Sequence, residues 1–197
     1  ELAKKYATQA VNHSIGVMTA KDDAAQMSQG AGMTFRNNIE WLAGNYNEAR
    51  MGSSIFSYLM GYEDPRLSVY FLPMDGNASY GVEAFDGKTY QAVPAGHANA
   101  QNDIYKSCSK PNIQSGTPTY WLRASEVYFL RAEAALVWEG FGSADSWYKQ
   151  GIDMSFQENG VTDPVDDYMN SNLSPRAYVL SHYQYGQTLS APCETTV

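Results

Sequence analysis

Along the chain, apolar positions gather into helical runs separated by stretches with no regular period. Leu2, Tyr6 and Ala10 stand at i, i+4 and i+8, one face of a helix, and residues 1–20 read as the end of a helix. A polar, glycine-rich loop follows over 21–32. Residues 37–60 read as further helix, broken at Gly52-Ser53-Ser54. Ser53 or Ser54 would cap its second part, since a hydroxyl accepts from the free N–H groups of a first turn, and Gly61 would end it. Asp64-Pro65 stops the run, because Pro disfavours the α conformation in the residue before it. Leu67, Val69 and Phe71 then alternate, which predicts a short strand. From 74 to 118 little periodicity survives. Asp75-Gly76 and Asp86-Gly87 are turn dipeptides, and Pro94, Pro111 and Pro118 punctuate the rest. A loop this long is uncommon in a compact domain and is usually functional.

Helical periodicity returns over 119–161. Val127, Leu130, Ala134 and Val137 sit at i, i+3, i+7 and i+10 and predict one packed face. Ala124, Tyr128, Ala132 and Ala135 form a flanking face of mostly small groups that would let a partner helix approach. Ser125 is a cap candidate, with Glu126 as a first-turn anion suited to the helix dipole. Gly140 and Gly142 end this helix and Ser143 caps the next. The spacing predicts an antiparallel pair over 124–139 and 143–157, with Ala132, Ala135 and Gly151 near the crossing. The series Ala132, Leu136, Gly140, Ala144, Tyr148 resembles a tetratricopeptide unit. Such units need neighbours to bury their faces, and the chain reads as a piece of a longer protein. Residues 162–175 are polar and turn-rich, and the tail over 176–197 has room for one more short helix. The expected fold is mainly α: tetratricopeptide-like helical hairpins with a long irregular insertion containing short strands. It divides one domain, 1–197, into helical 1–62, irregular 63–118, the hairpin 119–161 and an irregular tail, 162–197.

Charge removes some functions from consideration. The formal net charge is -8 and no run of Lys or Arg exceeds two residues, so there is no basic face to displace counterions from nucleic acid. No apolar stretch approaches the roughly 20 residues of a membrane span. Only 17% of residues are charged, while Tyr numbers 15 and Trp 4. Surfaces of that kind suit neutral polar ligands or proteins, because these rings join apolar area to a hydrogen-bonding edge. The only cysteines are Cys108 and Cys193, which permit a disulfide without establishing one.

The residues 125-SEVYFLRAEAAL-136, Trp138 and 148-YKQGIDMSF-156, leading into Gly160-Val161, resemble the SusD/RagB family of surface glycan-binding lipoproteins. So does 64-DPRL-67 with the following loop containing Pro94 and Gly96, and, more weakly, 6-YATQAVNHSIGVMTAKDDA-24. The order and spacing agree from about Tyr6 to about Val161. The resemblance implies a protein at the outer membrane and cell surface. It would bind an oligosaccharide or other small nutrient for delivery to a SusC-like TonB-dependent transporter. It would meet the membrane only through a lipid anchor, absent from this chain. The hairpin would be scaffold and part of the helical face that docks the transporter. The alternative is a helical-repeat interaction module with a protein partner and no glycan ligand.

Enzyme chemistry has little footing. His13, His97 and His182 lie far apart, with no metal-ligand spacing, nucleophile elbow or phosphate loop. The adjacent carboxylates Asp22-Asp23, Glu63-Asp64 and Asp166-Asp167 read as caps and solvated loops rather than an opposed glycosidase pair. The stretch 75–86 places oxygen donors like a calcium loop but has Tyr80 where Gly is needed. We therefore expect no catalytic residue, metal or cofactor. Sugar binding needs an aromatic ring to cover a pyranose face and amide or carboxylate groups to bond its hydroxyls, in a largely pre-formed site. The candidates are Trp41, Tyr80 and Tyr90 as rings, with Asn45 and Asn77 as hydroxyl partners.

Overall fold

The computed structural model describes residues 1–75, 89–94, 107–179, 188–189 and 193–197. In chain order the elements are α1 (Leu2–Val11), β1 (Ala24–Met27), α2 (Asn38–Gly44), α3 (Ser53–Gly61), α4 (Leu67–Tyr70), β2 (Thr119–Arg123), α5 (Ala124–Val137), α6 (Ala144–Glu158), α7 (Val165–Met169), β3 (Tyr178–Val179) and β4 (Thr188–Leu189). They form two compact units, one from Glu1–Ser28 and Pro118–Met169, the other from Gln29–Thr117 and Asn170–Val197.

The first unit is built on the hairpin of α5 and α6, close to the expected bounds. Its loop turns through Gly140 and Gly142, both with φ near +90°, a conformation that side chains other than hydrogen rarely adopt. Ser143 caps α6 as expected, its Oγ accepting from Ser146 N at 3.3 Å. Gly151 is buried at the crossing, where an added Cβ would stand 2.7 Å from the Phe129 ring. Ser125, by contrast, is no cap. The N-terminal residue is Arg123, in extended conformation, and its N–H donates to Glu126 Oε1 at 3.0 Å. Ser125 donates instead, from its backbone N (2.9 Å) and Oγ (2.6 Å), to the carboxylate of Glu158 at the far end of α6. The Glu158 side chain is 1% exposed, with Arg123 Nε at 3.4 Å.

Residues 119–123, expected within the helical hairpin, are a strand. β2 pairs antiparallel with β1, which lies inside the stretch expected to be loop. Ala25 faces Leu122 and Gln26 faces Tyr120, so Trp121 is an unpaired, bulged residue. Ahead of β1, Asp23 Oδ2 accepts from Thr19 N and Ala20 N, which holds its pKa below the usual value. Within the polar stretch 162–175, α7 forms and sets Tyr168 edge-on to Phe156. The expected apolar face of α5 is only partly covered: Ala134 is buried, but Leu130 and Val137 are 57% and 61% exposed. The helix packs on α6 through its other side, Phe129 and Ala132.

In the second unit a core of Met51, Phe56, Ala92, Cys108 and Tyr178 is flanked by Met60, Leu67, Phe71, Tyr90 and Val93. Irregular segments thread it by main-chain bonds: Met51 N to Ser109 O, Val93 N to Met51 O, Ser53 N to Val93 O and Ser109 N to Gln91 O, all 2.8–2.9 Å. These bonds answer where the backbone donors of a strand-poor insertion go. Ser53 and Ser54 do not cap α3; Gly52 occupies that position without a side-chain bond. The strand expected around 67–71 is the short helix α4. Asp64 initiates it, its Oδ1 accepting from Arg66 N at 2.9 Å and its carbonyl from Leu67 N at 3.0 Å. Leu67 and Phe71 reach the core at a spacing of four. The tail, where a helix was expected, instead pairs β3 with β4.

Gly61 ends α3 because nothing larger fits: a Cβ there would overlap the backbone of Ser174, Pro175 and Arg176. Gly61→Ala is expected to destabilise by about 1–3 kcal/mol through overpacking, measured by urea denaturation; unchanged stability would contradict the close approach. Burial pushes the Cys108 thiol up to about 11 from 9.0. A raised folded pKa leaves stability intact below the unfolded value and removes it as pH climbs through the folded one. Wild-type protein should therefore lose on the order of 2–3 kcal/mol between roughly pH 9 and 11 that Cys108→Ala does not lose. Parallel curves for the two proteins would refute this.

Candidate functional site

Of the described rings named in the sequence reading, Trp41 has the surroundings a sugar site needs. Asn37 positions it. This buried side chain caps α2, Oδ1 accepting from Ile39 N at 3.0 Å while Nδ2 donates to Thr117 O at 3.0 Å. Asn37 N also donates to Ser115 O at 2.8 Å. The start of the short helix is thus fastened to the 115–117 segment. At its other end Asn45 N and Tyr46 N both donate to Trp41 O (2.9 and 3.2 Å), and Glu48 N folds back to Leu42 O at 2.9 Å. Asn47 takes φ +59° to complete the reversal, a conformation Asn tolerates better than most residues.

That reversal brings five side chains together. Trp41 is partly exposed. Tyr46, 54% exposed, stands perpendicular to it with ring centroids 4.4 Å apart. The Arg36 guanidinium lies 5.5 Å from the Trp41 ring centre and bonds Glu40 Oε2 through Nε (3.2 Å) and Nη2 (3.1 Å). Nη2 also donates to Asn45 Oδ1 at 3.2 Å, leaving the Asn45 amide N–H groups for another acceptor. An exposed i,i+4 pair such as Arg36–Glu40 adds only about 0.3–0.5 kcal/mol to stability. Its larger effect here is orientation: one guanidinium fixes a carboxylate and an amide beside two aromatic rings. A pyranose contact would need such a set, a ring for the C–H face and polar groups for the hydroxyl edge.

Tyr90 is placed differently. It packs against the core, and desolvation raises its phenol pKa, so its ring is structural on one side at least. Asn77 and Tyr80 lie outside the described residues, as does most of the 75–86 stretch. Tyr46, Arg36 and Glu40 are not among the site residues chosen from the sequence. Their spacing, Arg36-x3-Glu40 followed by Trp41 and Tyr46, was the available signal. The sequence pattern also set Trp121 within a helical run, whereas Trp121 is 68% exposed.

One member of each adjacent carboxylate pair has a structural partner. Asp23 holds the turn before β1, Asp64 pairs with Arg66 at 2.5 Å and Asp166 with Lys149 at 2.5 Å. Among the described residues no group of three His, Cys, Asp or Glu is placed to hold a metal ion. No helix among them is long and apolar enough to cross a membrane.

Comparison with known proteins adds to this geometry. The family model described as SusD-like, the SusD and RagB outer membrane lipoproteins, matches residues 1–197. A susD homolog from Bacteroides vulgatus superposes with TM-score 0.85 at 34% identity over 99% of this chain and 38% of its own. A chitin-binding SusD homolog from Flavobacterium johnsoniae gives 0.86 at 29% identity over 100% of this chain and 38% of its own. A susD homolog from Bacteroides thetaiotaomicron gives 0.81 at 30% identity, with 100% and 38% covered. The chain thus spans about 38% of the length of these relatives. No curated protein matches it.

The two rings should separate in stability measurements. Tyr90→Ala should cost about 3–5 kcal/mol, as large aromatic deletions against a core do. Trp41→Ala, on the rim, should cost well under half of that. Equal losses of melting temperature in the two variants would show that Trp41 too is a packing ring.

Proposed function

This chain belongs to the SusD-like family of SusD and RagB outer-membrane lipoproteins, and on that footing we propose that it contributes a non-catalytic contact for an oligosaccharide. Trp41 is the principal stacking ring and Asn45 the hydroxyl partner. The observation that carries the reading is the Arg36, Glu40, Trp41, Asn45 and Tyr46 cluster on the α2 reversal. Tyr46 extends the aromatic surface, and Glu40 and Asn45 offer an acceptor and a donor to sugar hydroxyls. Asn77, Tyr80 and Tyr90, the other residues chosen from the sequence, are further candidates for the same contact in this proposal. The net charge of -8 favours a neutral glycan over a polyanionic one. The Flavobacterium relative, which binds chitin, makes β-linked N-acetylglucosamine oligomers the first ligands to test. Captured glycan would pass to a SusC-like TonB-dependent transporter in the same membrane.

A second reading, a helical module that binds protein, is favoured by one feature, the uncovered apolar face of α5. Calorimetry on the full-length polypeptide decides between them. With chito-oligosaccharides and then neutral α- and β-glucans as titrants, one series should bind. Trp41→Ala should weaken that binding more than tenfold, or about 1.4 kcal/mol, with the circular dichroism spectrum unchanged. No binding to any neutral glycan would leave the protein-binding reading. Turnover of the glycan, lost on substituting one carboxylate, would overturn the non-catalytic assignment.

A further inference from the structure

The polar groups beside Trp41 are fixed in polarity as well as in place. Arg36 Nη2 carries two hydrogens. One goes to Glu40 Oε2 at 3.1 Å and the other to Asn45 Oδ1 at 3.2 Å, while Nε adds a second bond to the same Glu40 oxygen at 3.2 Å. A guanidinium only donates, so the Asn45 side chain turns its oxygen to Arg36 and its NH2 group away. Glu40, held through one oxygen, keeps the other as an acceptor. Among the described residues Glu40 Oε1 and Asn45 Nδ2 make no further bond. Gly44 leaves the approach to Oε1 open: the Cβ it lacks would stand 3.7 Å from that oxygen. The charges of Arg36 and Glu40 offset each other. What faces outward is therefore one acceptor and one donor, set apart by the diverging hydrogens of a single planar NH2 group.

On the footing of the glycan contact assigned to Trp41, we propose that Glu40 and Asn45 read a 2-acetamido group, so that the site selects N-acetylhexosamine units over their 2-hydroxy counterparts. A secondary amide carries its donor and its acceptor on separate atoms. Its N–H fits Glu40 Oε1 in a charge-assisted bond, and its carbonyl fits the Asn45 NH2. Its methyl rests on the exposed Tyr46 ring, whose centre lies 4.4 Å from that of Trp41. A hydroxyl is a poorer match. It presents donor and acceptor on one atom, so both bonds would have to converge where Glu40 and Asn45 diverge, and it brings no methyl for Tyr46. A free amine in the same place would set donor against donor at Asn45. A carboxylated sugar would bring like charge to Glu40. In this arrangement Arg36 is a positioning residue, since it sets which way both readers face without touching the ligand.

The test compares chitotetraose with cellotetraose by calorimetry on the full-length polypeptide. The two share one β-linkage and differ only in the group on the second carbon. Wild type should bind the acetamido oligomer about tenfold or more tighter. Two substitutions invert the outward polarity without removing a group. In Glu40→Gln, Arg36 takes the amide oxygen and an NH2 is left facing the ligand N–H. In Asn45→Asp, an oxygen faces the ligand carbonyl. Each should weaken chitotetraose alone and bring the two affinities close together, with the melting temperature unchanged. Trp41→Ala should weaken both oligomers in parallel, which separates stacking from selection. Equal affinities in wild type, or a preference that both polar variants leave intact, would overturn the acetamido assignment while the Trp41 contact stands. Tighter binding of the fully deacetylated oligomer would overturn it too, in favour of simple attraction to the Glu40 carboxylate. Binding of neither oligomer, or of both without regard to Trp41, would remove the contact on which the assignment rests.

Discussion

The first unit depends on one buried carboxylate. Glu158 is the last residue of α6, yet its oxygens accept from the first turn of α5, taking Ser125 N and Oγ with Arg123 alongside. The Arg123 Nη2 donates in turn to the Glu158 carbonyl at 2.8 Å, and its guanidinium lies 4.4 Å from the centre of the Tyr120 ring. The bonds close the open end of the hairpin, opposite the glycine loop, and they do so where β2 becomes α5. A carboxylate removed from water loses several kcal/mol of hydration, recovered only if its lone pairs are bonded and a cation is near. Both conditions are met here. The register of the helix pair and the exit direction of β2 are therefore specified by the same group.

The second unit is organised by main-chain bonds rather than by long elements. Segments around 51–53, 89–94 and 107–111 exchange N–H and C=O groups while Phe56, Tyr178 and Cys108 fill the space between them. Against that frame α2 is short and reversed, fastened at its start through Asn37 and at its end through two donors to one carbonyl. The candidate glycan contact thus rests on a corner hydrogen-bonded at both ends. Such a corner keeps a stacking ring in place before a ligand arrives, which limits the ordering entropy lost on binding.

The hairpin was legible because its signals are local: glycines at the turn, Ser143 as cap and a small-residue crossing fix its ends within a residue or two. The family was legible from the same residues. Glu158 was not, since its partners lie 33 positions away and no periodicity announces them. Nor was the ribbon of β1 and β2, whose strands are about ninety residues apart in sequence. The Leu67, Val69, Phe71 series fits a period of two, but Leu67 and Phe71 also fit a helical step of four, and the turn that Asp64 makes with Arg66 N and Leu67 N leads into the helix. The α5 face was recognised as apolar and taken to be packed. Amphipathic pattern shows which side of a helix avoids water, not which part of the protein covers it. Trp41 and Asn45 come together with polar groups the pattern did not reveal. Tyr90 looked like a loop ring because the segment carrying it enters the core without regular structure.

The two thiols have a consequence for life outside a cell. Cys108 is buried and Cys193 partly so, and both are free thiols. Disulfide exchange proceeds through the thiolate, and burial keeps Cys108 almost wholly protonated at neutral pH. Its sulfur interacts with the Ala92 carbonyl and packs with aliphatic and aromatic neighbours instead of entering a covalent cross-link. This core therefore carries no bond that the surroundings can make or break by changing their reduction potential. Its integrity is set by packing and by main-chain hydrogen bonds, not by a cross-link.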